Sequence, residues 1–146
     1  MIYLDSSALM KLVRAEAETA SLQQWLRTQS EVTVATSELG RVEVLRAARR
    51  VGGEALTEAQ AVIGDIDLVP LDQGVQDLAC DIGEPLLRTL DAIHLASAVL
   101  LKDELTAFVA YDHRLASAAQ AAGLPTTTPC PPVPPDTELP DPEPSG

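Results

Sequence analysis

Acidic residues are the side chains best placed to do chemistry. Asp5 directly follows the apolar run Ile2-Tyr3-Leu4, and Asp112 follows Phe108-Val109-Ala110-Tyr111. Asp91 opens a largely apolar helical stretch, Leu90-Asp91-Ala92-Ile93-His94-Leu95-Ala96-Ser97-Ala98. Glu43 sits among apolar residues in Gly40-Arg41-Val42-Glu43-Val44-Leu45-Arg46-Ala47. Each has an ordinary structural explanation. Asp5 and Asp112 suit the N-caps of following helices. Asp91 suits a first-turn cap or an ion pair with Arg88. Glu43 has Arg46 and Arg50 at i+3 and i+7 as ion-pair partners. A carboxylate at the edge of an apolar helix is nevertheless costly unless it is paired, capped or metal-bound. If the acids converge, they repel one another unless a hard cation neutralises them. Mg²⁺ suits such a cluster because it prefers oxygen donors and needs only one or two carboxylates besides its waters. A cation there would lower the pKa of a bound water and offset charge on a phosphate, which is phosphodiester hydrolysis chemistry.

Other schemes find less support. The chain has no Walker-type loop, no GxGxxG, no HExxH and no GxSxG elbow. Asp5-Ser6-Ser7 lacks the second aspartate of an Asp-x-Asp phosphatase motif. His94 reads as a core or supporting residue in an apolar helix, and His113 as a helix start beside Asp112. Cys80 reads as helical and structural, and Cys130 lies in a proline-rich segment, so neither suggests a nucleophile.

These acids need a frame, and the hydrophobic pattern supplies one. Strand signals cover Ile2–Leu4, Val32–Val34, Ile66–Val69, Ala107–Ala110 and, weakly, Pro125–Thr127. Helical spacing covers Ser7–Val13, about Glu18–Thr28, a stretch from a Thr36 or Ser37 cap to about Val51, Glu54–Ile63, Asp72–Ile82, Leu90–Leu101 and His113–Ala121. Such alternation predicts an α/β fold, with a parallel sheet between helical layers. Function is then expected beyond the carboxyl ends of the strands, where Asp5 and Asp112 fall.

Composition sets the outer limits. The chain has 146 residues, enough for one domain, and only 3% are aromatic, so an aliphatic core is expected. Ten basic residues against 22 acidic give a net charge of −12, which disfavours simple electrostatic capture of nucleic acid. It does not exclude a nuclease whose acids hold metal. Arg41, Arg46, Arg49 and Arg50 form a local basic strip, and exposed charges beyond about 10 Å are largely screened at 0.1 M salt. Eight of the eleven prolines fall in the last eighteen residues, with Asp136, Glu138, Asp141 and Glu143 and no basic residue. We therefore read 1–128 as the folded domain and 129–146 as an extended, disordered tail, with docking on a partner as the alternative. Two cysteines without metal-ligand spacing, no signal-peptide pattern and no membrane-length apolar run lead us to expect a cytoplasmic protein.

Taken in order, these stretches resemble the PIN-domain family, and within it the VapC toxins of toxin–antitoxin pairs. The resemblance rests on Ile2–Leu9, Ser37–Ala47, Leu87–Ala98 and Tyr111–Leu115, with a closing segment at Ala118–Leu124, and it spans about residues 1–128. It implies a PIN-like three-layer α/β/α sandwich with a central parallel sheet of four to five strands, and a metal-dependent endoribonuclease acting on tRNA or rRNA. By residue, it implies Asp5 and Asp91 as the principal Mg²⁺ ligands, with Mn²⁺ as the alternative ion. Glu43 and Asp112 would bind a second metal or orient the water, and Ser7 would order the cluster. The resemblance further implies a homodimer and a VapB-type antitoxin that blocks the site. Arg46 and Arg50 are candidates for contact with RNA or antitoxin. The competing readings are a catalytically inactive PIN-like module that only binds RNA or a partner, and a structure-specific DNA nuclease, for which 128 residues leave little room.

Overall fold

The computed structural model describes residues 1–134. The strands are β1 (Ile2–Leu4), β2 (Val34–Ser37), β3 (Asp67–Val69), β4 (Ala107–Val109) and β5 (Thr126–Thr127). The helices are α1 (Ser6–Val13), α2 (Thr19–Thr28), α3 (Glu38–Val51), α4 (Ala55–Gly64), α5 (Gln73–Asp81), α6 (Thr89–Val99) and α7 (His113–Ala121), with a 3₁₀ turn at Lys102–Glu104. The strands form a five-stranded sheet in the order β3-β2-β1-β4-β5, parallel throughout.

The period of two in β1 divides the core. Ile2 and Leu4 face one way and pack with Ala8, Leu9, Leu22, Val44, Ala48 and Ala59 from the first four helices. Tyr3 faces the other way and packs with Phe108 and with Leu95, Leu115 and Ala119 of α6 and α7. Both faces of β1 are therefore covered, as a parallel sheet requires. The core is aliphatic apart from Tyr3 and Phe108, the expected consequence of so few aromatics.

The order places the topological switch between β1 and β4, so a crevice opens beyond their carboxyl ends. Asp5 N donates to Val109 O at 3.1 Å, keeping the two chains adjacent to the edge of the sheet. The second strand departs from the sequence expectation. It runs over Val34–Ser37 rather than Val32–Val34, because its last two residues are polar and read as a helix cap alone. Thr36 is buried and donates to Leu4 O at 2.7 Å. Ser37 does both jobs: it ends the strand, and its Oγ caps α3 by accepting from Leu39 N at 3.1 Å. Gly52, at φ 79°, supplies the left-handed turn that stops α3.

Val42, Leu45 and Ala47 are the apolar residues that the sequence offers for the buried side of α3, and the observed buried face differs. It consists of Gly40, Val44 and Ala48, whereas Val42 is exposed, because the helix turns Val42 away from β1. Cys80 lies in α5 as expected but is exposed, so the structural role read for it does not hold. Most of the proposed tail lies outside the described residues. Residues 129–134 form no helix or strand.

Candidate functional site

Asp5 begins the site where β1 ends. Its backbone is extended, at φ −76° and ψ 176°, and it is the N-cap of α1. Oδ1 accepts from Ala8 N at 2.9 Å and from Ser7 Oγ at 2.6 Å. Ser7 Oγ in turn accepts from Tyr111 N at 3.0 Å, tying the ends of β1 and β4 together one residue before Asp112. Asp5 is only 3% exposed. Burial pushes its carboxyl above the ordinary range and the neighbouring Glu43 charge adds to this, while the bonds from Ser7 and Ala8 and the nearby His94 work the other way. Among the described residues none donates to Oδ2, which leaves that oxygen for a ligand.

Glu43 projects from α3 and is held by a buried chain from the other core. Its Oε1 lies 2.6 Å from His94 Nε2, and His94 Nδ1 lies 2.6 Å from Tyr3 Oη. Burial raises the Tyr3 phenol well above its usual range, so it keeps its proton. A carboxylate only accepts, so Nε2 is the donor to Glu43. Tyr3 is itself fixed by stacking on Phe108 at 5.4 Å and 5°. The chain needs α3 close to α6. A Cβ on Gly40 would run into Thr36 Oγ1 and stand 3.2 Å from His94 Cε1, so only glycine permits the approach.

Asp91 and Asp112 make up a second neighbourhood, with side chains 14% and 36% exposed. Asp112 caps α7, its Oδ1 accepting from Arg114 N and Leu115 N, both at 3.0 Å. Asp91 lies in the first turn of α6 without capping it. Its partner is Arg88, whose Nε lies 3.0 Å from Asp91 Oδ2, while Arg88 Nη2 lies 3.4 Å from Asp112 Oδ2. The ordinary structural roles of Asp5, Asp112 and Asp91 therefore hold, and each uses part of its carboxylate without exhausting it.

The predicted acids thus gather at one edge of the sheet as two neighbourhoods, Asp5 with Glu43 and Asp91 with Asp112. Arg88 also feels the Glu43 charge across the gap between them. Among the described residues no three acids, histidines or cysteines already close on a single ion position. Arg46 and Arg50 do not pair with Glu43, whose partner is His94. With Arg49 they line an exposed depression on α3. The sequence reading missed Tyr3 altogether and did not connect His94 to Glu43. The signal available was a tyrosine and a histidine on otherwise apolar faces, each requiring a buried partner.

The comparisons with known proteins agree with this frame. A family model for the PIN domain matches residues 2–121. Ribonuclease VapC47 of Mycobacterium tuberculosis is 49% identical over 132 residues, covering 88% of this chain and 97% of that protein. Ribonuclease VapC35 of the same organism is 42% identical over 131 residues, with the same coverage. Among solved structures, M. tuberculosis VapC20, described as a sarcin-ricin loop cleaving toxin, superposes with a TM-score of 0.64 at 21% identity, covering 81% of this chain and 95% of its own. FitAB bound to an IR36 DNA fragment superposes at 0.66 with 16% identity, covering 88% and 95%. At these identities the structures speak for the fold alone. Among the described residues no helix is long and apolar enough to cross a membrane.

Proposed function

The chain belongs to the PIN-domain family, and from that premise we propose that it is a ribonuclease of the VapC kind, the toxin of a toxin–antitoxin pair, hydrolysing RNA phosphodiester bonds. One observation supports placing the chemistry at the sheet edge. Asp5, Glu43 and Asp91 each commit one carboxylate oxygen to a partner in the protein. Their second oxygens have no donor among the described residues.

The donor set fits a hard divalent cation: the groups are carboxylates, and Mg²⁺ completes its shell with water rather than requiring an all-protein cage. Asp5 and Asp91 would hold the ion, with Glu43 and Asp112 binding a second ion or orienting the attacking water. A bound cation would supply Lewis acidity toward the phosphate and a more acidic water. The protein's own groups fix the donors. Ser7 and Ala8 hold Asp5, His94 holds Glu43, and the α7 amides hold Asp112. Burial of Asp5 favours a bound cation, because ionising that carboxyl alone in a dry site is unfavourable.

In our reading residues 1–128 form the nuclease and 129–146 a proline-rich acidic tail, at whose start Pro129 O accepts from Tyr111 Oη at 2.6 Å. The substrate is tRNA or rRNA. The working form is a cytoplasmic homodimer, controlled by a VapB-type antitoxin, with Arg46 and Arg50 contacting RNA or that partner. Relatives named VapC at 42–49% identity support the antitoxin. The test is cleavage of total tRNA and rRNA with Mg²⁺, Mn²⁺ or EDTA, beside folded Asp5→Asn and Asp91→Asn variants. Discrete fragments that need metal and both aspartates are expected. Cleavage that persists in EDTA or in either variant would refute the assignment.

A further inference from the structure

Arg88 stands where local rules argue against it. It is the N-cap of α6, extended at φ −63° and ψ 146°, and its side chain makes no capping bond. N-caps favour small side chains whose oxygen accepts from the first-turn amides. Arginine has only donors, and it adds positive charge to the positive end of the helix dipole. A violation of local preference calls for a compensating gain elsewhere. Here the gain is the bridge from Nε to Asp91 at 3.0 Å and from Nη2 to Asp112 at 3.4 Å, joining acids on two different helices. A planar guanidinium can span two carboxylates in this way, and it stays charged at every accessible pH. Its side chain is 65% exposed, so it can swing into water at little cost.

We propose that Arg88 is a built-in counter-cation that occupies the Asp91–Asp112 side of the site and competes with the divalent ion for those carboxylates. This rests on the metal-site reading above. Arg88 bridges and neutralises the acids while no metal is bound, and must withdraw as the metal enters. Metal affinity is then lower than the acids alone would give, and the enzyme responds to a higher range of free cation.

The test is Mn²⁺ binding to the full chain, by electron paramagnetic resonance or calorimetry, for wild type, Arg88→Gln, Arg88→Lys and Asp91→Asn. Arg88→Gln should bind Mn²⁺ about three- to tenfold more tightly, the scale of releasing two exposed ion pairs. Arg88→Lys, with a single ammonium, should fall between it and wild type. Melting curves give a second readout. Arg88→Gln should melt lower than wild type without metal and gain more from Mn²⁺. A merely structural ion pair would lower melting equally with and without metal and leave Mn²⁺ affinity unchanged. Arg88→Gln binding Mn²⁺ no tighter than wild type, while Asp91→Asn binds more weakly, would overturn this proposal alone. If Asp91→Asn binds as well as wild type, the metal-site reading fails and the proposal fails with it.

Discussion

The two sides of the acid edge are held by different means. On the inner side, Asp5 and Glu43 are gripped by short hydrogen bonds from a hydroxyl, a backbone amide and a histidine backed by a buried tyrosine. On the outer side, Asp91 and Asp112 share a mostly exposed guanidinium, which is the one partner of Asp91 among the described residues, while the α7 amides also hold Asp112 Oδ1. Buried hydrogen bonds are little screened by salt and are expensive to leave unmade. An exposed ion pair is weak and screened. The inner carboxylates are therefore set in place by folding, while the outer ones can exchange partners. On the proposed reading, a site that accepts a cation and later releases a product needs both properties.

The most severe break is Asp5→Asn. The amide oxygen can still accept from Ser7 and Ala8, so the fold should survive, while RNA cleavage falls by at least about a hundredfold, since losses around a metal site already reach about 10- to 100-fold one shell out. Stability should move the opposite way. Because burial raises Asp5 above its ordinary value of 3.8, the native state favours the protonated acid, and wild-type stability is lost as pH climbs through the raised value. Asparagine escapes that loss. In EDTA, the melting advantage of Asp5→Asn over wild type should widen from about pH 4 upward. A gap that narrows over that range would show that Asp5 is not destabilised by ionisation.

Next comes the buried chain. His94→Leu strands the Tyr3 hydroxyl and frees Glu43, and should cost about 1–3 kcal/mol in chemical denaturation and about 10- to 100-fold in cleavage. His94→Gln, which still offers an N–H to Glu43, should recover part of the activity. Equal losses in the two variants would mean that packing, not the N–H, is what matters.

On the outer side, the cap and the chemistry of Asp112 can be separated. Asp112→Ala should lose about 1 kcal/mol, and Asp112→Asn, an equally good cap, almost none. Both should cleave poorly. If Asp112→Asn cleaves normally, the residue is a cap alone. The smallest effect belongs to the α3 strip: Arg50→Ala should leave melting unchanged and weaken RNA or antitoxin affinity a few-fold, with a shallower salt dependence. Unchanged affinity for both would remove Arg50 from the interface.

Much of this was legible before any coordinates. The apolar run Ile2–Leu4 ending at Asp5 and the run ending near Asp112 marked strands whose carboxyl ends carry acids, and the alternation of periods two and 3.6 led to the parallel sheet. The misreadings share a cause. Val34–Ser37 looked half polar because Thr36 spends its hydroxyl on Leu4 O, a partner thirty-two residues away. Val42 looked buried because its apolar neighbours did, though the turn of α3 directs Val44 and Ala48 inward instead. Arg46 and Arg50 looked like the partners of Glu43 because helix spacing is visible in the chain and a histidine fifty-one residues on is not.

What the sequence determined by itself was the set of local requirements: which residues cap, which alternate, where the glycines and prolines stop an element, and which acids stand at strand and helix ends. These follow from interactions within a few residues. Only the tertiary structure decided which oxygen of each acid is already spent, that Tyr3 and His94 reach through the core to hold Glu43, and that Arg88 joins two helices through their aspartates. Those contacts span long stretches of chain, and hydrogen bonds select partners by distance and direction in space, which periodicity along a sequence does not encode.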